Sequence, residues 1–375
     1  MASLYIHIPF CRQACYYCDF HFSTRLDHKA TLIEALCKEL KLQKDYLTQK
    51  QLRSIYLGGG TPSLLSEYEL SQLFETISQY YHFDEQTEVT LEANPDDLTD
   101  QQLETIQKLP INRLSIGIQS FHDGHLNYLN RVHTSSEAII CVERARDIGI
   151  SNISIDLIYG IPSVDHSIWE KDLQKAFTLP ITHLSAYCLT IEPDTVFGRW
   201  QMQGKIRAVE DDFANEQWTL LLEAADRSGF IQYEISNFCQ PNAYAVHNSN
   251  YWAKGEYLGI GPSAHSYNLR SRQFNVAHNH KYLKAINMGE IPAEVEQLNA
   301  KDHTNEYLLT SLRTIWGSDL QKLQYLSGTD FLQVQRKYIE KYTKAGLLSV
   351  EPTTLKLTQK GKLLADTVIA DLFLV

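Results

Sequence analysis

The stretch YIHIPFCRQACYYCDF, residues 5–20, decides how the rest of the chain is interpreted. It places Cys11, Cys15 and Cys18 close together, directly after an apolar run typical of a β-strand. The chain has seven cysteines, an odd number. In a reducing compartment, such clustering indicates metal or redox chemistry rather than disulfide bonds.

The C-x3-C-x2-C spacing supplies three thiolates, whereas a closed metal site normally needs four ligands. A structural zinc site would require a fourth ligand such as His7 or His21, and such modules usually contain two separated ligand pairs. Most iron–sulfur clusters also use four thiolates. A four-iron cluster held by three thiolates would leave one iron open to a small molecule.

Composition excludes several classes of protein. The net charge is −11 over 375 residues, and no basic block suggests a nucleic-acid-binding tail. No window has the roughly 18 uninterrupted apolar residues of a membrane span, and the N-terminus does not resemble a signal peptide. We therefore predict a cytoplasmic protein, with any contact at the inner membrane only peripheral.

The first half of the chain alternates short β-like runs with amphipathic helical segments. This pattern predicts parallel strands with helices outside, in an open, partial (β/α)6 TIM-like barrel of the α/β class. The predicted strands are 4–8, 54–57, 88–93, 113–118, 153–158 and 184–189. The predicted helices are near 29–46, 66–80, 99–108, 134–148 and 166–177.

The ends of these strands carry unusual residues: Cys11, 58–61, 92–94, Gln119 and Asp156. Barrel enzymes build their sites at the carboxyl ends of the strands. The first domain, residues 1–230, is therefore predicted to be catalytic or to bind a cofactor.

The alternation stops after about residue 200. A Gly- and His-rich connecting segment is predicted over 231–300, and a C-terminal, mainly helical, winged-helix-like accessory domain over 301–375. In the latter, helices at 305–316 and 331–344 precede the hairpin-like LLSVEPTTLKLT and a last helix.

The cysteine motif resembles that of the radical S-adenosylmethionine (SAM) superfamily. The resemblance is to the branch that contains oxygen-independent coproporphyrinogen III dehydrogenases (HemN) and heme chaperones (HemW), and closest to the chaperones. It continues in family order through GGGTPS, EANPDD, SIGIQSF, LNRVHTSSEA, DLIYGIP and YCLTIEP. It implies that Cys11, Cys15 and Cys18 ligate three irons of a [4Fe–4S] cluster and that SAM chelates the fourth.

The same resemblance implies a SAM site. Its residues would be Tyr5, Tyr17, Gly59, Gly60, Thr61, Glu92, Gln119, Arg131 and Asp156. Glu92 and Arg131 would contact the amino and carboxylate ends of SAM, and Arg131 suits a planar two-oxygen partner. The glycines would let the backbone approach the methionine moiety closely.

The remaining implied contacts concern the nucleoside and the cluster. Gln119 and Asp156 would bind the ribose hydroxyls, Tyr17 would flank the adenine, and Tyr5 would lie close to the cluster or the cofactor. In the superfamily, the reduced cluster donates one electron to the sulfonium, which yields methionine and a 5′-deoxyadenosyl radical. Whether this chain cleaves SAM, and so acts as an enzyme, stays open.

Three features separate the two functions in this branch. Dehydrogenases carry a further cysteine two positions after the motif, where this chain has Phe20, and an N-terminal extension before the motif strand. HNSNYW matches the HNxxYW signature of the chaperones at His247, Asn248, Tyr251 and Trp252. Neutral imidazole is a common axial ligand of heme iron, and aromatic rings can pack on a porphyrin.

We therefore expect a heme chaperone that binds heme transiently and transfers it to heme-requiring proteins such as respiratory oxidases. The alternatives are a coproporphyrinogen III dehydrogenase and another radical SAM enzyme with an unidentified substrate. The expected cofactors are the [4Fe–4S] cluster, SAM and heme. The expected partners are an electron donor and, by family expectation, a second copy of the chain. No nucleic acid is expected to bind. His247 is the predicted ligand of heme iron and His265 a second candidate.

The four other cysteines are predicted to fill core space as small hydrophobic residues. These are Cys37, Cys141, Cys188 and Cys239.

Overall fold

A computed structural model describes residues 2–374. Its first half alternates strands and helices, as predicted. In chain order the elements are β1 (Ala2–Ile8), α1 (Lys29–Leu42), β2 (Leu52–Gly59), α2 (Glu67–Tyr80), β3 (Glu88–Ala93), α3 (Asp100–Lys108), β4 (Arg113–Gln119), α4 (Asp123–Tyr128), α5 (Ser135–Asp147), β5 (Asn152–Tyr159), α6 (Ser167–Thr178) and β6 (His183–Cys188).

The six strands β1 to β6 lie side by side in sequence order, and every neighbouring pair is parallel. Their apolar residues form one core with the surrounding helices. Two of those helices begin at capping boxes, Ser66 with Glu69 for α2 and Thr134 with Glu137 for α5. The predicted α/β partial barrel is confirmed.

The segment after the barrel adds strands to both of its edges. Its elements are α7 (Val196–Met202), α8 (Asp211–Arg227), β7 (Ile231–Gln232), β8 (Asn237–Cys239), α9 (Val246–Trp252), β9 (Glu256–Ile260), β10 (His265–Tyr267), β11 (Ser271–Asn275), α10 (Asn279–Asn287) and β12 (Ala293–Gln297). Strand β9 pairs in parallel with β1, and β10 to β12 continue antiparallel. Across residues 2–374 this gives a sheet of twelve strands, six of which come from the segment 231–300. The domain boundaries at 230 and 300 stay predictions.

The C-terminal part is mainly helical, as predicted. It contains α11 (Ala300–Ser311), β13 (Ser318–Asp319), α12 (Leu320–Ser327), α13 (Phe331–Val334), α14 (Arg336–Lys344), β14 (Leu348–Val350), β15 (Thr354–Leu357), α15 (Gln359–Lys362) and α16 (Ala365–Asp371). The predicted hairpin is β14–β15, and β13 joins it as a third strand. This part has a hydrophobic core of its own. Within the described residues, no helix is long and apolar enough to cross a membrane.

Candidate cluster and cofactor site

A cavity of about 550 Å³ opens at the carboxyl ends of the barrel strands. This volume lies within the range of small-molecule sites. The cavity brings together most of the residues that the sequence predicted. They are Cys11, Cys15, Tyr17, Cys18, Gly59, Gly60, Thr61, Glu92, Gln119, Arg131, Asp156 and Asn248.

Backbone hydrogen bonds close the cysteine loop on itself and join it to the segment after α4. Cys11 N donates to Ser23 O at 3.1 Å, and Tyr16 N donates to Leu129 O at 3.2 Å. Two side chains donate to sulfur: Thr61 Oγ1 to Cys11 Sγ and Arg131 Nη1 to Cys15 Sγ, each at 3.4 Å. Such donors orient a ligating thiolate and stabilise its charge.

Burial raises the pKa of the Cys11 thiol to about 11 and that of Cys18 to about 12. Within residues 2–374, no three Cys, His, Asp or Glu side chains meet closely enough to hold a single metal ion. A four-iron cluster takes one thiolate per iron and needs no such common point. Three sulfur donors on the rim of a cavity therefore fit a cluster whose fourth iron faces the cavity.

Two glycines let strand β2 close against the cysteine loop. Gly59 has φ +105°, and a Cβ there would lie 2.5 Å from the His7 ring. A Cβ on Gly60 would lie 2.7 Å from the carbonyl oxygens of Ile8 and Phe10, where Gly60 N donates to Ile8 O at 2.8 Å. Glycine is thus required at position 59 by the positive φ and the His7 ring, and at position 60 by close backbone approach.

Glu92 and Asp156 place two buried carboxyl groups inside the barrel. Glu92 Oε1 accepts a hydrogen bond from Tyr56 Oη at 2.7 Å, and Oε2 accepts one from Gly59 N at 3.0 Å. Burial, opposed by these hydrogen bonds and assisted by the nearby Asp156, raises the pKa of Glu92 to about 7. Burial likewise raises the pKa of Asp156 to about 6. Near neutral pH, both groups can exchange a proton when a cation binds.

Arg131 has a donor with no partner in the structure. Its Nη2 donates to Asn94 Oδ1 and to Gly117 O, each at 2.7 Å, while its buried Nε has no hydrogen-bond partner. Because buried polar groups are normally satisfied, this N–H fits a ligand anion such as a carboxylate. The glycine cradle, the sulfur donors and this Nε together fit the cluster and SAM.

Gln119 ends β4 in a left-handed conformation, with φ +69°. The β4–β5 register shifts between Gly117 and Gln119, so the last residue of the strand is turned relative to its neighbours. Strained backbone of this kind occurs at binding sites, where it aims a side chain.

Tyr5 does not line the cavity. Its ring stacks on Tyr56 with 6.1 Å between centroids, and its hydroxyl lies 3.1 Å from His7 Nδ1. Tyr5 therefore lies behind Tyr56, which separates it from Glu92.

The HNSNYW motif forms the short helix α9, and its side chains face different surroundings. The His247 ring lies 4.9 Å from the Tyr56 ring, and its Nδ1 lies 3.0 Å from Ser54 Oγ. Burial and the nearby Arg113 lower the pKa of His247 to about 3, so its imidazole is neutral. Asn248 lines the cavity.

The other two motif residues lie further along α9. Tyr251 is exposed, and its ring contacts Trp252 edge-on at 5.2 Å. The motif therefore reaches from the cavity wall to the surface. The second heme candidate, His265, is exposed on β10.

Sequence reasoning missed several polar residues that line the cavity. They are Tyr56, Arg113, Ser115, Ser185 and Tyr187. Arg113, Ser115, Gly117 and Gln119 alternate along β4, so they share one face of that strand. The alternation of these residues with Leu and Ile along β4 could have indicated the cavity-facing side. It was missed because the strand as a whole looks like an ordinary apolar strand.

The expectation for the other cysteines was wrong at one position. Cys141 and Cys239 are buried and Cys37 is half-buried, but Cys188 is exposed at the end of β6, where it lines the cavity. A strand end that faces the cavity mouth has no core to fill.

Comparisons with known proteins identify the relatives of the chain. The family model of the radical SAM superfamily matches residues 5–176, and that of the HemN C-terminal domain matches 298–364. The chain is 32% identical to the heme chaperone HemW of Bacillus subtilis, over 98% of each chain. It is also 32% identical to HemW of Haemophilus influenzae, over 99% of this chain and 97% of the relative.

Among solved structures, the chain resembles HemN, the coproporphyrinogen III oxidase of Escherichia coli. The TM-score is 0.86, with 22% identity, over 99% of this chain and 90% of that one. At this identity the likeness shows a shared fold.

Proposed function

We propose a function for this chain on the premise that it belongs to the HemW family of heme chaperones, within the radical SAM superfamily. The chain binds heme transiently and transfers it to heme-requiring proteins, such as respiratory oxidases. It does so on a scaffold that holds a [4Fe–4S] cluster and SAM.

The observation that carries the heme assignment is the state of His247. Its imidazole is neutral, and Ser54 Oγ holds Nδ1 at 3.0 Å. A hydrogen bond at one ring nitrogen determines which nitrogen is available to a metal. His247 thus supplies Nε2 to heme iron, with Asn248, Tyr251 and Trp252 as neighbours on α9.

The cluster is held by Cys11, Cys15 and Cys18, and when bound it supplies the electron that cleaves the SAM sulfonium in this superfamily. That electron must come from a separate donor protein or reductant. Here the roles of Thr61 and Arg131 are to stabilise thiolate charge through their hydrogen bonds to sulfur.

SAM occupies the cavity beside the cysteines. Glu92 binds the amino group as a carboxylate, and the free Nε–H of Arg131 binds the carboxylate of SAM. Gln119 and Asp156 bind the ribose, Tyr17 flanks the adenine, and the backbone of Gly59 and Gly60 borders the methionine moiety.

A coproporphyrinogen III dehydrogenase is the less supported alternative. The curated relatives with about 32% identity are named heme chaperones, whereas the likeness to HemN is a likeness of fold alone. Phe20 stands where the dehydrogenases carry their additional cysteine, and its side chain is 68% exposed at the cavity. The position therefore offers no thiol for chemistry.

The test uses anaerobically reconstituted protein with the cluster in place. Hemin is titrated optically into the wild type, His247→Ala and the control His280→Ala, whose histidine is exposed on α10. We expect His247→Ala to weaken binding at least tenfold and to change the heme spectrum, and His280→Ala to match the wild type.

A second arm offers coproporphyrinogen III with SAM and a reductant. The chaperone function predicts no protoporphyrinogen. Formation of that product at an enzymatic rate, or hemin binding that is unchanged in His247→Ala, would contradict the proposal.

A further inference from the structure

Tyr56 stands between the cavity and the motif helix and contacts both. Its hydroxyl donates to Glu92 Oε1 at 2.7 Å, and its ring lies 4.9 Å from that of His247, tilted by 33°. Tyr56 also lines the cavity. One rigid side chain thus joins a cavity carboxylate to the imidazole of the motif.

Helix α9 is anchored to the barrel on the same side. The carboxylate of Glu88 accepts hydrogen bonds from Val246 N and His247 N, each at 2.9 Å. The next residue, Asn248, lines the cavity. Helix α9 is thus held at its first turn, where it borders the cavity wall.

Ser54 sets the protonation of the His247 ring. Ser54 Oγ donates to Ser3 Oγ at 2.8 Å, so towards His247 it acts as an acceptor, and Nδ1 carries the ring proton. The lone pair then lies on Nε2, the form that ligates a metal. The Tyr56 and Tyr5 rings, at 4.9 and 6.3 Å, pack beside this imidazole.

We propose that Tyr56 is a positioning residue shared by two ligand sites, so that an amino acid group bound at Glu92 raises the affinity of His247 for heme iron. This inference rests on the proposed function and names a regulation of its heme site. A cation at Glu92 keeps that carboxylate ionised, and an ionised acceptor binds the Tyr56 hydroxyl more strongly. The fixed ring then holds His247 in the ligand-competent orientation, which reduces the ordering cost of heme binding.

The test uses S-adenosylhomocysteine, which has the amino and carboxylate groups of SAM but no sulfonium to cleave. Hemin affinity is measured on cluster-loaded protein with and without saturating analogue. We expect about fivefold or more tightening in the wild type, the lower end of typical coupling between sites. Tyr56→Phe keeps the ring but loses the hydroxyl, so the tightening should fall to less than twofold.

The matched control is Tyr159→Phe, since Tyr159 ends strand β5, packs on Trp169 and is not a cavity-lining residue. It should retain the full tightening. If Tyr56→Phe does not fold, Glu92→Gln tests the other partner of the same hydrogen bond: without an ionised acceptor for the Tyr56 hydroxyl, an analogue concentration that saturates this variant should tighten hemin binding less than twofold.

No tightening in the wild type, or equal tightening in Tyr56→Phe, overturns the inference while the proposed function stands. Failure of hemin to bind the wild type at all overturns both. The two failures are therefore distinguishable in one titration series.

Discussion

At the scale of single residues, the cavity contains four thiols with different expected roles. Cys188 provides a matched control for the cluster ligands because it also lines the cavity, is exposed and lies on β6 rather than in the cysteine loop. We predict that Cys15→Ala, which removes the sulfur that Arg131 contacts, abolishes cluster assembly, whereas Cys188→Ala leaves it intact. Iron and sulfide content after anaerobic reconstitution, with the visible absorbance of the cluster, measures this. Retention of a full cluster by Cys15→Ala, or its loss from Cys188→Ala, would contradict the ligand set.

Glu92 makes SAM binding depend on pH. Its pKa of about 7 means that the carboxyl group is largely protonated at pH 6 and ionised at pH 8. If the ionised form binds the amino group of SAM, the affinity of the protein for SAM rises with pH through this window. The gain is limited to about tenfold per pH unit below the pKa.

Equilibrium binding of SAM to the oxidised, cluster-loaded protein at pH 6 and pH 8 measures this dependence. Glu92→Gln cannot ionise, so it should bind SAM more weakly at pH 8 and show a flatter profile. Asp156 titrates nearby with a pKa of about 6, so Asp156→Asn is the control that separates the two carboxyl groups. An unaltered pH profile in Glu92→Gln would exclude Glu92 as the titrating group.

The sequence predicted which residues line the cavity where those residues belong to a motif. It did not predict cavity residues, such as Tyr56, whose position depends only on the packing of the barrel interior. Cys11, Glu92, Arg131 and Asp156 all line one cavity, as the motif order implied. Tyr56 escaped notice because it looks like an ordinary strand residue; its role comes from two contacts, to Glu92 and to a ring 191 positions later in the chain. Long-range pairs of this kind leave no local pattern in a single sequence.

At the scale of elements, the turn after β2 connects the barrel to the cysteine loop. We predict that Gly60→Ala destabilises the protein and reduces cluster incorporation, because the new Cβ would meet main-chain atoms of Ile8 and Phe10 that cannot rotate away. Overpacking of this kind costs about 1–3 kcal/mol in the free energy of unfolding. Iron content and the thermal unfolding midpoint measure the two effects.

The control is Gly289→Ala, at the end of α10. Gly289 has φ +78° and open space around its missing Cβ, so this substitution costs about 1–2 kcal/mol of backbone strain and should leave iron content unchanged. Equal iron content in the two variants would show that close approach at Gly60 is not needed for the cluster.

The sequence predicted the elements of the barrel better than the elements that follow it. Period-two and period-3.6 patterns marked β1 to β6 and their crossover helices to within a few residues. Strand β9 was not recognised as a neighbour of β1, because EYLGI is short and its partner lies some 250 positions earlier. Helix α9 has seven residues and no side-chain N-cap of its own; Glu88 of β3 takes that role.

At the scale of the whole molecule, the C-terminal part is joined to the sheet through a partly buried ion triad. Glu306 of α11 pairs with Lys254, at 3.0 Å, and with Arg272 of β11. Lys254 follows directly on α9, and its Nζ also donates to His303 O at 3.1 Å. The same triad therefore connects the C-terminal part, the sheet edge and the helix that carries the heme motif.

Removal of the carboxylate should loosen this junction. In Glu306→Gln, two cations remain close together and largely buried, without their counter-charge; the Lys254 and Arg272 side chains are only 9% and 23% exposed. Breaking a fully buried pair costs about 3–5 kcal/mol in the free energy of unfolding, which is the upper limit for this partly buried triad. Because Lys254 and α9 are adjacent in the chain, the affinity for hemin should fall as well.

Glu351→Gln is the control, since Glu351 pairs with Lys356 at 3.0 Å with both side chains about a third or more exposed. Exposed pairs contribute about 0–1 kcal/mol, so this variant should unfold and bind hemin like the wild type. Urea unfolding, limited proteolysis of the C-terminal part and hemin titration distinguish the two. If Glu306→Gln resembles Glu351→Gln in all three measurements, the triad does not hold the C-terminal part to the sheet. Backbone contacts, such as the hydrogen bond from Ile315 N to Tyr233 O at 3.0 Å, must then hold it there.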